Sequence, residues 1–187
     1  AIIRHTRRVI YLKDGEMAVL RREGVDVMAF DGKKASFVID KVAFQLDAAQ
    51  KQGYAHFMLK EMYEQPDVLA RMVSARLKNG RVSLDGMGLS DKKLKSFSRI
   101  KVVACGTAYH AGLVGRYIIE EMARVPVEVD MSSEFRYRSP LVDKKTLLVA
   151  VSQSGETADT LAAVREARAK GASVISICNV IGSSLAR

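Results

Sequence analysis

The sequence predicts an α/β fold built on a parallel, doubly wound sheet that is incomplete within these 187 residues, preceded by a β-rich stretch. Three observations carry this. Residues 99–187 alternate short apolar runs with helix-like segments, the pattern that needs crossover connections and hence parallel strands. Those apolar runs are almost continuous, as strands buried on both faces must be. Residues 1–46 instead hold short runs separated by Asp-Gly pairs, a hairpin pattern.

The elements follow in order. Residues 7–12 and 17–20 flank Lys13-Asp14-Gly15-Glu16, which predicts a hairpin. Residues 25–30 and 36–39, around Asp31-Gly32, repeat the pattern. Four strands or fewer without a covering layer bury little apolar surface, so 1–46 reads as the tail of a larger domain. Residues 47–98 are polar and helical. Residues 47–53 look like a connector and 58–63 like a helix. Pro66 restricts Gln65 and can open a second helix running to about Lys78, stopped by Asn79-Gly80. Residues 82–98 read as a loop plus a short helix.

From residue 99 the elements are a strand over 100–105, a helix over 108–122 and a strand over 127–131. After a connection expected to contain a helix come a strand over 146–151, a helix over 157–170 ended by Gly171, and a strand over 173–178. The chain stops shortly after a strand, where a doubly wound sheet would continue, and this suggests a fragment.

Composition narrows the function classes. The net charge of +9 raises a nucleic-acid reading, but Lys and Arg are spread evenly, eleven in 1–60, eight in 61–100 and eleven in 101–187. Without a cluster, and with aromatic content of 6%, neither a phosphate-tracking arm nor a stacking platform is present, so no nucleic-acid partner is expected. No apolar run reaches the ~20 residues of a bilayer span, and no signal peptide is evident, so a cytoplasmic protein with no membrane association is expected. Cys105 and Cys178 are far apart, and His5, His56 and His110 are scattered, so no metal site is expected. Two reduced thiols suit a reducing compartment.

Chemistry is concentrated at two strand ends. Ligands of open parallel sheets bind beyond the carboxyl ends of the strands. There Cys105-Gly106-Thr107-Ala108 joins a strand to a helix, with Gly106 permitting a tight turn and Thr107 at the expected N-cap. Ser152-Gln153-Ser154-Gly155-Glu156-Thr157 sets three hydroxyls, an amide and a glycine before another helix. Free N–H groups and partial positive charge at that helix start make a cradle for a phosphate monoester without a lysine. The other reading of both loops is an ordinary capped helix start. Neither loop carries GxxxxGK[ST] or GxGxxG, so no nucleoside triphosphate or dinucleotide cofactor is indicated, and no cofactor is expected.

Residues 99–187 resemble the sugar isomerase (SIS) phosphosugar-binding fold through Cys105-Gly106-Thr107 and Ser152-Gln153-Ser154-Gly155-Glu156-Thr157. Ser133-Glu134-Phe135-Arg136-Tyr137-Arg138 and Lys60-Glu61-Met62-Tyr63-Glu64-Gln65-Pro66 narrow the resemblance to the glutamine–fructose-6-phosphate aminotransferase (glucosamine-6-phosphate synthase) family. The stretch from His5 to Glu16 is similar to the end of that family's type-2 glutamine amidotransferase (glutaminase) domain.

The resemblance implies three segments: the C-terminal part of a glutaminase domain over 1–46, a linker and helical lead-in over 47–98, and the first part of an SIS domain over 99–187. It implies that Ser152, Gln153, Ser154 and Thr157 hold the phosphate of fructose 6-phosphate or glucosamine 6-phosphate. Thr107 would face the sugar, and the backbone of Cys105 and Gly106 would line the pocket. Ala108 stands where some members have serine, and Ile181 where proline is common. The resemblance places the glutaminase nucleophile, an N-terminal cysteine, and the isomerase acid–base groups outside this chain. No catalytic residue is therefore assigned. Glutamine would be handled by the missing glutaminase segment, and a homodimer is implied. Glu134 is expected to pair with a neighbouring arginine, and Glu156 to sit favourably at a helix start. The alternatives are a phosphosugar-sensing SIS module without enzyme activity and a purely structural domain.

Overall fold

The computed structural model describes residues 5–41, 50–84 and 87–187. The chain divides into two compact units, residues 1–83 and 84–187.

In the first unit, β1 (Arg8–Val9) pairs antiparallel with β4 (Asp40–Lys41), and β2 (Glu16–Leu20) with β3 (Val25–Ala29). The Lys13–Glu16 turn forms, with the Glu16 N–H donating to Lys13 O (3.1 Å), but it does not close a hairpin. The hairpin is β2–β3, closed through Arg21 to Gly24, where Arg21 and Gly24 exchange backbone bonds of 2.8 and 3.3 Å. Asp-Gly is a turn signal in either role, and register decided against the expected pairing. Residues 36–39 form no strand; only Lys34 bridges back to Met28.

The helix α1 (Phe57–Arg76) is continuous, with Pro66 inside it, where a break was expected. Proline removes one i→i−4 bond and crowds the preceding turn, yet strong helix formers on both sides carry the helix through. Lys60, only 3% exposed, donates from Nζ to Gln50 O (2.7 Å), which ties the helix to the segment before it. Residues 47–49 of the expected connector lie outside the described residues. Asn79-Gly80 is not a helix stop. Both residues have positive φ (52° and 71°), and they turn the small hairpin β5 (Leu77–Lys78) to β6 (Arg81–Val82), the role Asn-Gly most favours between strands.

The second unit is the α/β body. The helix α2 (Asp91–Leu94) is capped by the Ser90 side chain, which accepts from Lys93 N–H (3.2 Å). Then come β7 (Arg99–Ala104), α3 (Thr107–Ala123), β8 (Val127–Met131), α4 (Ser132–Tyr137), β9 (Thr146–Ser152), α5 (Ala158–Ala169) and β10 (Ser173–Cys178). The four strands form one parallel sheet in the order β10-β9-β7-β8. The central pair, β7 and β9, is mostly buried, whereas β8 and β10 are edges.

Phe135 of α4 and Ala163, Val164 and Ala167 of α5 pack with Val103 of β7 and Leu148 of β9 in one core. α3 lies against Val102 and Val129. A β-carbon at Gly112 would sit 3.0 Å from Val102 Cγ1 and 3.1 Å from Val129 Cγ1, so glycine lets this helix approach the strands closely. After β7 the chain moves to β8; after α4 it returns past β7 to β9. The strand order therefore reverses between β7 and β9. That is the topological switch point, beyond whose carboxyl edge ligands of such sheets bind.

Candidate functional site

Two loops meet at this switch point. Ala104 and Val151 are register partners, so residues 105–107 and 152–157 leave the same sheet edge from adjacent strands. The structure thus brings all seven sequence-predicted site residues to one edge.

The first loop turns at Gly106 (φ 59°, ψ −136°), a backbone conformation open to glycine and strained for other residues. Gly106, not Thr107, is the N-cap of α3. Thr107 is already the first helical residue and is exposed. The expected threonine cap does not form, because the tight turn occupies the cap position with glycine.

The second loop is braced from within. Ser152 is buried, and its Oγ accepts from the Gly155 N–H (3.0 Å) and lies 3.5 Å from Thr157 Oγ1. Ser154 Oγ accepts from the Glu156 N–H (3.2 Å), and Gln153 is exposed. Thr157 is the N-cap of α5, but its side chain makes no capping bond. Neither α3 nor α5 therefore has a side-chain cap, in contrast to α2 with Ser90. Neither loop thus supplies the side-chain cap that a reading as ordinary capped helix starts expects. At the start of α3 the Tyr109 N–H turns back to Gly106 O (3.1 Å); the N–H groups that a helix start leaves without intrahelical partners lie at this sheet edge with the helix's partial positive charge.

Behind the second loop, Gly155 (φ 67°) is packed against the segment after β10. Ser183 Oγ lies 3.2 Å from Cys178 Sγ, and the Leu185 N–H donates to Gly155 O (3.0 Å). Glu156 Oε1 accepts from the Ser184 N–H (2.8 Å). The Ser184 hydroxyl first, then its N–H, with Arg187 adding a smaller attraction, holds the Glu156 carboxyl below the ordinary 4.5. A carboxylate stabilised in the folded state contributes above its ordinary pKa and loses that contribution as pH falls through the lowered folded value. Glu156→Gln should therefore cost at most about 1 kcal/mol at pH 7, since the group is exposed. The cost should vanish in more acid solution, as urea unfolding at neutral and acid pH would show.

Among the described residues Glu134 pairs with no arginine. Arg136 pairs with Asp159 (3.0 Å) and Arg138 with Asp130, leaving both neighbouring guanidiniums occupied. Among the described residues no group of three or more His, Cys, Asp or Glu side chains is placed to hold a metal ion. No helix among them is long and apolar enough to cross a membrane.

Sequence reasoning passed over the polar residues beneath the loops. Thr160 and Ser132 are fully buried with their hydroxyl oxygens 3.0 Å apart, and Thr160 Oγ1 lies 3.9 Å from Cys105 Sγ. Only position gave a signal: one hydroxyl directly follows a strand, the other lies three residues past a helix N-cap.

The SIS domain model matches residues 93–187. Over its whole length the chain is 50% identical to glutamine–fructose-6-phosphate aminotransferase (isomerizing) from Clostridium tetani and to the protein of the same name from Clostridium acetobutylicum. It spans 31% of the length of each of these curated relatives. The solved C-terminal domain of glucosamine-fructose-6-phosphate aminotransferase from Francisella tularensis is 44% identical with a TM-score of 0.66, over 73% of this chain and 38% of that one. The matched region holds the parallel sheet, both loops and the switch point, and the chain belongs to the SIS domain family.

Proposed function

We propose that this chain is the sugar-phosphate-binding part of a glutamine–fructose-6-phosphate aminotransferase, which converts fructose 6-phosphate and glutamine to glucosamine 6-phosphate and glutamate. The observation that carries the reading is the pair of helix N-termini without side-chain caps, meeting at the switch point beside a hydroxyl-rich loop. Such a site favours a compact, multiply charged anion. Ser152, Gln153, Ser154 and Thr157 hold the phosphate; Thr107 faces the sugar, with the backbone of Cys105 and Gly106 lining its side. Whole-length identity to relatives of that name supports the choice among phosphosugar proteins.

In this reading residues 1–46 end a glutaminase domain, 47–98 link, and 99–187 open the SIS domain. The solved C-terminal domain covers 73% of the chain, which leaves room for such a preceding segment. The acid–base groups and the glutaminase nucleophile belong to other parts of the enzyme, a cytoplasmic homodimer, so no residue here is assigned a catalytic role.

Calorimetric titration tests the site. Glucosamine 6-phosphate should bind and glucosamine should not. Ser154→Ala and Thr157→Val should each weaken the phosphate ester about tenfold or more, the effect of losing one hydrogen bond to a charged group. Equal affinity for glucosamine and its 6-phosphate would overturn the reading.

A further inference from the structure

We propose that Thr160 is a positioning residue that fixes the distance between the two loops, and through it the fit of the sugar relative to its phosphate. The inference rests on the sugar-phosphate reading above. Thr160 stands in the first turn of α5, the helix whose N-terminus receives the phosphate in that reading. Its side chain is 1% exposed and points away from solvent, toward the ends of the neighbouring strands. Oγ1 lies 3.0 Å from Ser132 Oγ and 3.9 Å from Cys105 Sγ.

Ala104 and Met131 are register partners, so Cys105 and Ser132 are the residues that leave β7 and β8 side by side. One hydroxyl on α5 therefore reaches the carboxyl ends of both strands. On its other side, the 152–157 loop is tied to the segment after β10 through Gly155 and Glu156. The phosphate loop is thus held from two directions, and Thr160 supplies the side-chain tie toward the sugar-facing loop. A fully buried hydroxyl pair fixes geometry because neither partner has water as an alternative.

A bare phosphate needs only the 152–157 loop, whereas a sugar phosphate needs both loops at the right spacing. Thr160→Val keeps the shape and removes the hydroxyl. It should weaken glucosamine 6-phosphate about tenfold and inorganic phosphate by less than about twofold, the loss of one hydrogen bond read through only one of the two ligands. Ser132→Ala removes the hydroxyl bond from its other end but leaves the Thr160–Cys105 contact, so it should give a smaller split in the same direction, while Thr160→Ser should restore the affinity of the unaltered protein. Thr160→Val acting equally on both ligands, or on neither, would overturn the inference.

If the unaltered protein binds neither ligand, the sugar-phosphate reading is the one that fails. Amide hydrogen exchange then decides the positioning role by itself. Thr160→Val must speed exchange at residues 105–108 more than at 152–157, and unchanged exchange there refutes it. Should Thr160→Val fail to fold, Ser132→Ala carries both measurements.

Discussion

Gly155→Ala is expected to abolish sugar-phosphate binding and to lower the stability of the SIS unit by about 3 kcal/mol or more, the combined cost of a forbidden backbone angle and a steric overlap. Gly155 has a φ of 67° and is buried, so a side chain there is strained before its surroundings are considered. Its surroundings leave no space. A β-carbon would lie 2.6 Å from Cys178 Sγ and 2.6 Å from Ser183 Cβ, with the Ser183 hydroxyl closer still. Relief requires moving either the 152–157 loop or the segment after β10. Either shift disturbs the site, because the Gly155 N–H bond to Ser152 and the Gly155 carbonyl bond from Leu185 both pass through this residue. Thermal unfolding and a glucosamine 6-phosphate titration read the two effects separately. Gly155→Ala combined with Ser183→Gly removes the Ser183 clash but not the Cys178 contact or the φ strain, so it should recover part of the stability and little of the binding. Wild-type affinity in Gly155→Ala alone would refute the packing argument.

Gly155 also shows what the sequence makes legible. A glycine amid hydroxyls before an Ala-rich helix announces a tight polar loop, and the near-continuous apolar strands announce a parallel sheet. Both follow from residue type within a few positions. What glycine packs against is not local: Cys178 and Ser183 lie more than twenty residues away and meet it only because β10 pairs with β9. The Thr160–Ser132 pair was invisible for the same reason. The failures in the first unit have another origin. Asp14-Gly15 and Asn79-Gly80 are strong turn signals, but a turn signal does not say which segments it joins. One closed no hairpin, and the other closed one where a helix end was expected. Pro66 was overridden by its helical context. Short strands without a common core leave such choices weakly determined, whereas the buried strands of the second unit allow one register.

The stretch Ser133-Glu134-Phe135-Arg136-Tyr137-Arg138 carries much of the family resemblance, and its charged residues draw the eye. Its energetic weight is expected to lie in Phe135 alone. Arg136 and Arg138 make ion pairs with side chains about a third to a half exposed, 35% and 49%, and such pairs contribute about 0–1 kcal/mol. Phe135 is 0% exposed and sits where α4, α5 and the sheet converge. Truncating a buried phenylalanine loses its transfer free energy and leaves a cavity, so Phe135→Ala should cost about 3–5 kcal/mol. A domain of this size has about 5–15 kcal/mol in all, so the variant would be near the limit of folding. Phe135→Leu refills most of the space and should cost less than half as much. Arg136→Ala should shift the urea midpoint only slightly. Because the same cluster seats α5, Phe135→Ala should also weaken glucosamine 6-phosphate binding under conditions where the protein is still folded, and Arg136→Ala should do so less. If Arg136→Ala destabilised the protein as much as Phe135→Ala, the motif would be held together by charge, and the assignment of its weight to packing would be wrong.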